Sequence, residues 1–221
     1  KALLAGLVAA PYFWAHQHRL FDIPLDGVAA ALGLFLGVEF LYYWMHRAAH
    51  RVRWMWATHR VHHSAAKFNL TAAFRLGWTG PISGGPLFFL PLVLLGFPPL
   101  AVVGALGLNL AYQFFLHMER PVRLGPLEWV LNTPTHHRLH HAVNDGCLDK
   151  NFGGVLIIFD RLFGTFAAPP ENDPLRFGLK GAARTDNPLK ILFGEWTAMA
   201  RDAARARSLR AFGRALFGPP S

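Results

Sequence analysis

Ten of the twelve histidines in this 221-residue chain lie between positions 46 and 141. They are arranged as His46-x-x-x-His50, His59-x-x-His62-His63, a lone His117, and His136-His137-x-x-His140-His141. Residues three and four apart share a helix face, so each group aims two or three imidazoles in one direction. Facing helices build metal sites in this way, and two H-x-x-H-H patterns in one chain are rare by chance. Neutral imidazole suits iron, zinc, copper or nickel, whereas magnesium and calcium take oxygen ligands. A tetrahedral zinc uses three or four ligands, so nine or ten imidazoles imply two metal ions.

The elements that must position these groups are apolar. The chain is 52% hydrophobic and only 16% charged, which indicates a membrane protein and excludes a disordered chain or a charged coiled coil. The +9 net charge is assigned to the cytoplasmic side of the membrane rather than to nucleic acid, because no basic stripe is interleaved with stacking aromatics. A single cysteine, Cys147, excludes an intrachain disulfide.

Residues 27–45 make one clean span, interrupted only by Glu39, and the stretches 80–96 and 100–116 make a minimal transmembrane hairpin turning at Phe97, Pro98 and Pro99. Pro86 and Pro91 should kink its first arm. Residues 2–15 read as the tail of a trimmed membrane helix, with a signal-peptide core the second choice, since the chain starts at Lys1 without Met.

The fold expected is all-α and integral to the membrane, with about four transmembrane helices and a cytoplasmic helical cap holding the binuclear site. Arg47, Arg51, Arg53, Arg60, Lys67 and Arg75 occur with no acidic residue between them, which puts segment 46–79 in the cytoplasm. The hairpin then returns His117 and the 136–141 group to the same face. One continuous helix over 46–63 would aim His59, His62 and His63 about 160–260° away from His46. A break around Arg51–Trp56 is therefore predicted. Thr133 and Pro134 mark the start of the last histidine helix. Asn187-Pro188 opens a basic amphipathic stretch, about 188–217, expected on the headgroups or over the catalytic face. No second domain is evident within 1–221.

The three boxes His46-x-x-x-His50, His59-x-x-His62-His63 and His137-x-x-His140-His141 resemble the fatty acid hydroxylase and sterol desaturase superfamily of membrane di-iron oxygenases, nearest its alkylglycerol monooxygenase-like branch. Asn69-Leu70-Thr71, Tyr112-Gln113-Phe114-Phe115-Leu116-His117 and the run HHAVNDGCLDKNFGGVLIIFDRLFGTF from His140 to Phe166 extend the match over about 38–166. The resemblance implies two irons, for which zinc can substitute, held by His46, His50, His59, His62, His63, His117, His137, His140 and His141. It also implies hydroxylation of a lipid alkyl chain or ether lipid with O2 and two electrons from a reduced pterin or a separate redox protein. Met118 departs from the pattern, which has a small polar residue after the histidine.

Several other residues are candidates for assisting roles. Glu39 and Tyr43 fall on the His46/His50 stripe, and an intramembrane acid is costly enough to suggest function. His136 precedes the third box and is a candidate base. Glu119, Asn144, Asp145 and Asp149 are candidates to accept the second ring N–H of a ligand histidine, with Lys150 and Asn151 in the matching run. Desaturation is the nearest alternative chemistry. A zinc hydrolase lacks its H-E-x-x-H motif here, and a metal carrier would need more ionisable residues within the spans.

Overall fold

Apolar stretches of this chain form long helices that tolerate single glycines, and Pro11 in the first of them, but break where prolines and glycines cluster between positions 80 and 91. The computed structural model describes residues 2–170 and 173–220, apart from the side chains of 2–5 and 7. Helix α1, Ala2–Gln17, is followed by a turn and by the 24-residue α2, Val28–Arg51. Val52 is extended, with φ −110° and ψ 115°, and α3, Arg53–His63, begins directly after it. The break falls where the helix-angle argument requires it.

The stretch 80–96 departs from expectation. Instead of one membrane-length helix it forms two short 3-10 segments, Gly80–Ile82 and Gly85–Phe89, and then a six-residue α4, Leu90–Leu95. Pro81, Pro86 and Pro91 each lack an N–H to continue a ladder, and Gly84 sits in the left-handed region at φ 87°. The continuous apolar helical piece, Gly85–Leu95, reaches roughly 16 Å at ~1.5 Å per residue, about half a bilayer core. The returning arm is α5, Pro99–Leu116. Among the described residues two helices, α2 and α5, are long and apolar enough to cross a membrane, where about four were expected.

The chain continues through His117 to α6, Pro134–His140, which starts at an extended Thr133 with Pro134 in its first turn. Helix α7, Ile158–Leu162, follows, and the C-terminal stretch is two helices rather than one, α8 (Pro188–Ala204) and α9 (Leu209–Phe217). The Asn187 side chain accepts from Leu189 N and Lys190 N to start α8, and Ser208 caps α9 through Ala211 N. No strand forms among the described residues; two isolated bridges, Leu131 with Leu156 and Ala142 with Phe177, tie the loops around α6.

The apolar core lies at the end away from the histidines, where Tyr12 and Ala15 of α1 meet Leu34, Val38 and Tyr42 of α2, Phe89, Leu92 and Val93 around α4, and Val102 of α5. The turn after α1 is pinned to that core by Leu20 N donating to Leu94 O at 2.7 Å. Gly96 is required there: its φ is 130°, and a Cβ would collide with the Phe21 carbonyl. Gly96→Ala is expected to cost about 1–3 kcal/mol and lower the thermal midpoint. Gly104→Ala, in α5 with nothing within 4 Å of the added carbon, should leave the midpoint unchanged or raise it. Parallel thermal melts in detergent check the pair.

Candidate metal centre

Four separate segments bring nine imidazoles together at the C-terminal ends of α2 and α5. The rings sort into two groups, His46, His50, His59, His63 and His140 in one and His62, His117, His137 and His141 in the other. Within each group one nitrogen per ring lies within 4.8 Å of all the others. The helix period explains the sorting: His59 and His63, one turn apart on α3, face α2, while His62 turns toward α5 and α6. The two groups touch where the second and third boxes meet, His63 stacking on His141 with centroids 4.3 Å apart.

Main-chain carbonyls decide which nitrogen faces inward. His46 Nδ1 donates to Phe152 O, His140 Nδ1 to Lys150 O and His117 Nδ1 to Gln113 O, each at 2.8 Å. A carbonyl only accepts, so Nδ1 carries the proton and Nε2 presents its lone pair to the group. The Nε2 atoms then crowd together. His46 and His59 are 3.0 Å apart, and His117 lies 3.1 Å from both His62 and His137. Two nitrogens bound at right angles to one ion at ~2.1 Å would lie ~3.0 Å apart. His50 Nε2 and His140 Nε2 are buried without any partner, which costs about 1–3 kcal/mol per atom unless a cation takes the lone pair. The donor set therefore fits two imidazole-bound metal ions.

The loop 149–157 is the frame for this geometry. Asp149 and Asn151 both adopt left-handed backbone, with φ 56° and 58°, which is unusual outside glycine and aims the intervening Lys150 carbonyl at His140. Asn151 stabilises its own turn, donating to Ala167 O at 2.9 Å and accepting from Ala167 N at 2.9 Å. Asp160 is wholly buried and accepts from Phe152 N at 2.8 Å and Gly153 N at 2.7 Å, which fixes the carbonyl that orients His46. Burial raises the Asp160 carboxyl pKa, and bonds from Thr165 and these two amides oppose the rise. Asn132 holds the same loop by donating to Gly153 O at 2.6 Å. Gly153 and Gly154 leave no room for side chains, since a Cβ would strike the Leu156 carbonyl or the Asn109 amide.

The structure distributes the other candidates widely. The Glu39 carboxylate lies outside both groups, accepting from Asn109 Nδ2 at 2.5 Å, Val155 N at 2.8 Å and Leu156 N at 2.9 Å. It thus ties α2 to α5 and to the loop. Tyr43 bonds Thr165 Oγ1 at 3.0 Å. Asp149 lies beside His50 Nδ1 at 3.6 Å and pairs with Arg51 at 3.1 Å. Asp145 is exposed and pairs with Lys180. Asn144 closes the 173–176 loop by donating to Asp173 and accepting from Arg176 N. Glu119 is exposed, and its main-chain carbonyl accepts from Arg138. His136 is buried against Phe166 on another face of α6, outside both groups. Sequence reading sought carboxylate partners for the imidazoles and missed the carbonyls of Lys150, Phe152 and Gln113, and also Asp160. The last lies in the quoted run, but its role depends on the fold of the loop.

Access to the two groups differs. A cavity of about 710 Å³ reaches His50, His63, His140 and His141 and is bordered by Arg51, Arg60 and Lys180. Phe68 covers the other group, stacked on His117 at 5.3 Å and on Phe177 at 5.3 Å, with the Arg138 guanidinium over both phenyl rings. Burial and neighbouring imidazoles hold His59, His63, His137, His140 and His141 well below the ordinary imidazole pKa, and burial lowers His62 to about 3. These rings are neutral, as metal binding requires.

An all-helical scaffold carrying paired, imidazole-lined metal sites is the class that fold and geometry define. The family model described as fatty acid hydroxylase matches residues 31–165, and the chain belongs to that family. It is 46% identical to alkylglycerol monooxygenase of Homo sapiens over 190 residues, 84% of this chain and 42% of the human protein. It is 47% identical to that of Danio rerio over 173 residues, 78% and 38% of the two chains. Ornithine lipid hydroxylase OlsE of Rhizobium tropici is 33% identical over 180 residues, 81% of this chain and 54% of that one. The chain spans about two-fifths of the length of the alkylglycerol monooxygenases it matches. No solved structure matches it significantly.

Two outcomes follow from this geometry. Purified protein should carry about two metal ions per chain, and His117→Ala should reduce the content to about one, because the five-imidazole group keeps all its ligands; plasma mass spectrometry reads both. The second concerns pH. In the unfolded chain the histidines titrate near ~6.5, while in the folded metal-free chain these six are depressed, so the unfolded state binds more protons as pH falls below that value. The thermal midpoint of metal-free protein should therefore drop progressively as pH falls from above ~6.5 toward ~4.

Proposed function

We propose that this chain is a membrane-embedded, iron-dependent oxygenase that hydroxylates a C–H bond of a lipid alkyl chain or ether lipid. The observation that carries this reading is the pair of adjacent, all-imidazole groups on helices of a fatty acid hydroxylase family member. The names of its relatives, alkylglycerol monooxygenase and ornithine lipid hydroxylase, support a lipid substrate. Helices α2 and α5 cross the bilayer, and the basic segment 46–79 keeps the histidine end on the cytoplasmic side.

Two irons held by the nine histidines would supply O2 activation and oxidation of an unactivated C–H, with two electrons from a reduced pterin or a redox protein. The chain supplies position and environment. The Phe152, Lys150 and Gln113 carbonyls keep protons on Nδ1 and leave Nε2 free for metal, while Asp160 steadies the loop. Phe68 and Phe177 exclude water from the four-imidazole group. The cavity bordered by Arg51, Arg60 and Lys180 gives water-soluble reactants a polar route to the five-imidazole group. Glu39 acts as a clamp between α2, α5 and the loop. With an ether lipid, hydroxylation beside the ether oxygen yields a hemiacetal that collapses to an aldehyde and a free glycerol.

Incubation of iron-loaded protein with O2, a reductant and a lipid panel should give, from an alkyl chain, a product heavier by one oxygen atom or, from an ether lipid, the aldehyde of hemiacetal collapse, the added oxygen labelled from 18O2 in either case. His140→Ala should abolish that product. A product lighter by two hydrogens with no label would replace hydroxylation by desaturation, and full turnover in His140→Ala would refute the ligand assignment.

A further inference from the structure

The C-terminal hairpin carries a concentration of positive charge that the oxygenase chemistry does not use. A cavity of about 730 Å³ at the turn between α8 and α9 is walled by Arg205, Arg207, Arg210 and Arg214. None of these four guanidinium groups has an ion-pair partner among the described residues. The one carboxylate in the wall, Asp202, pairs with Arg53 at 2.8 Å. The cavity is therefore a cationic concavity open to an external anion.

Helix α9 adds a second feature. Leu209, Phe212 and Leu216 recur at helical spacing on one face, with Arg210 and Arg214 beside them. Leu209 is 91% exposed, Phe212 46% and the adjoining Phe217 59%. No residue of α9 is buried. Apolar side chains at that exposure, flanked by unpaired arginines, match the composition of helices that lie in the plane of a lipid surface. A soluble acidic protein would satisfy the arginines but would not by itself require the apolar stripe.

We propose that α9 and the α8–α9 turn dock on anionic phospholipid headgroups of the membrane that holds α2 and α5, with the four arginines contacting phosphates and Leu209 and Phe212 entering the acyl boundary. The contact reaches the metal-bearing helix directly. Arg53 N donates to Gly218 O at 3.0 Å, the Arg53 guanidinium donates to Ala215 O at 3.3 Å, and Phe217 lies against Trp54. Helix α8 fastens the other side of α3 through Glu195, which accepts from Arg53 at 2.8 Å and Arg60 at 3.0 Å. Lipid docking thus seats the helix that bears His59, His62 and His63.

This inference rests on membrane embedding but on no property of the oxygenase reaction. Hydrogen exchange of the full chain is compared in nanodiscs of phosphatidylcholine alone and with about 30 mol % phosphatidylserine, for wild type and Arg207→Glu/Arg210→Glu/Arg214→Glu. Peptides over 205–217 should exchange about tenfold more slowly in the anionic discs, and the triple variant should lose that difference. Peptides over α5 should be protected in both discs; their exposure in both would refute embedding itself rather than docking alone. Equal exchange of 205–217 in the two lipids would overturn the proposal. So would protection in phosphatidylcholine discs brought about by inorganic phosphate, which would mark a free-anion site, or by polyglutamate without any effect of phosphatidylserine, which would mark an acidic protein partner.

Discussion

An imidazole offers a lone pair from Nε2 only while its proton stays on Nδ1, and in this chain the main chain meets that condition. Phe152 O, Lys150 O and Gln113 O each accept from a ligand-group histidine at 2.8 Å. Two of the three carbonyls belong to one loop, so the protonation pattern of the centre depends on the path of residues 149–157. Left-handed backbone at Asp149 and Asn151, the Asp160 carboxylate, the Asn132 amide and the absent side chains of Gly153 and Gly154 all serve that path. Glu39 joins it to α2 through the amides of Val155 and Leu156, and to α5 through Asn109. The buried polar groups here form one connected network, and such a network is stable only when nearly all its members are satisfied.

The same constraint accounts for the sparse apolar core. Buried hydrophobic residues cluster around α1, α2, α4 and α5 at the end away from the histidines, with a small group at Leu139, Ala142 and Cys147 beside α6. Around the imidazoles the neighbours are aromatic rings, among them Phe68, Phe152 and Trp56. Metal binding would then supply folding energy where apolar packing supplies little.

The histidine constellation was legible in the sequence because helical spacing encodes direction. The spacing of His46, His50, His59, His62 and His63 required a break, and Val52 provides it. Thr133-Pro134 and Asn187-Pro188 marked helix starts where the structure has them. The stretch 80–96 was misread because Pro86 and Pro91, expected to kink one helix, act together with Pro81 and the left-handed Gly84 to break it into short segments. The partners of Glu39 were not legible, since the amides it accepts from lie 116 and 117 residues away in the chain. Asp145 and Asp149 looked alike as acids near a histidine box, and only the backbone turn separates an exposed partner of Lys180 from a neighbour of His50.

X-ray absorption spectroscopy at the iron edge on loaded protein tests the central claim most directly. Groups of five and four imidazoles predict a nitrogen shell whose outer scattering counts between four and five imidazoles per iron, without sulfur. A count of two or fewer imidazoles per iron, or a sulfur shell, would contradict the account.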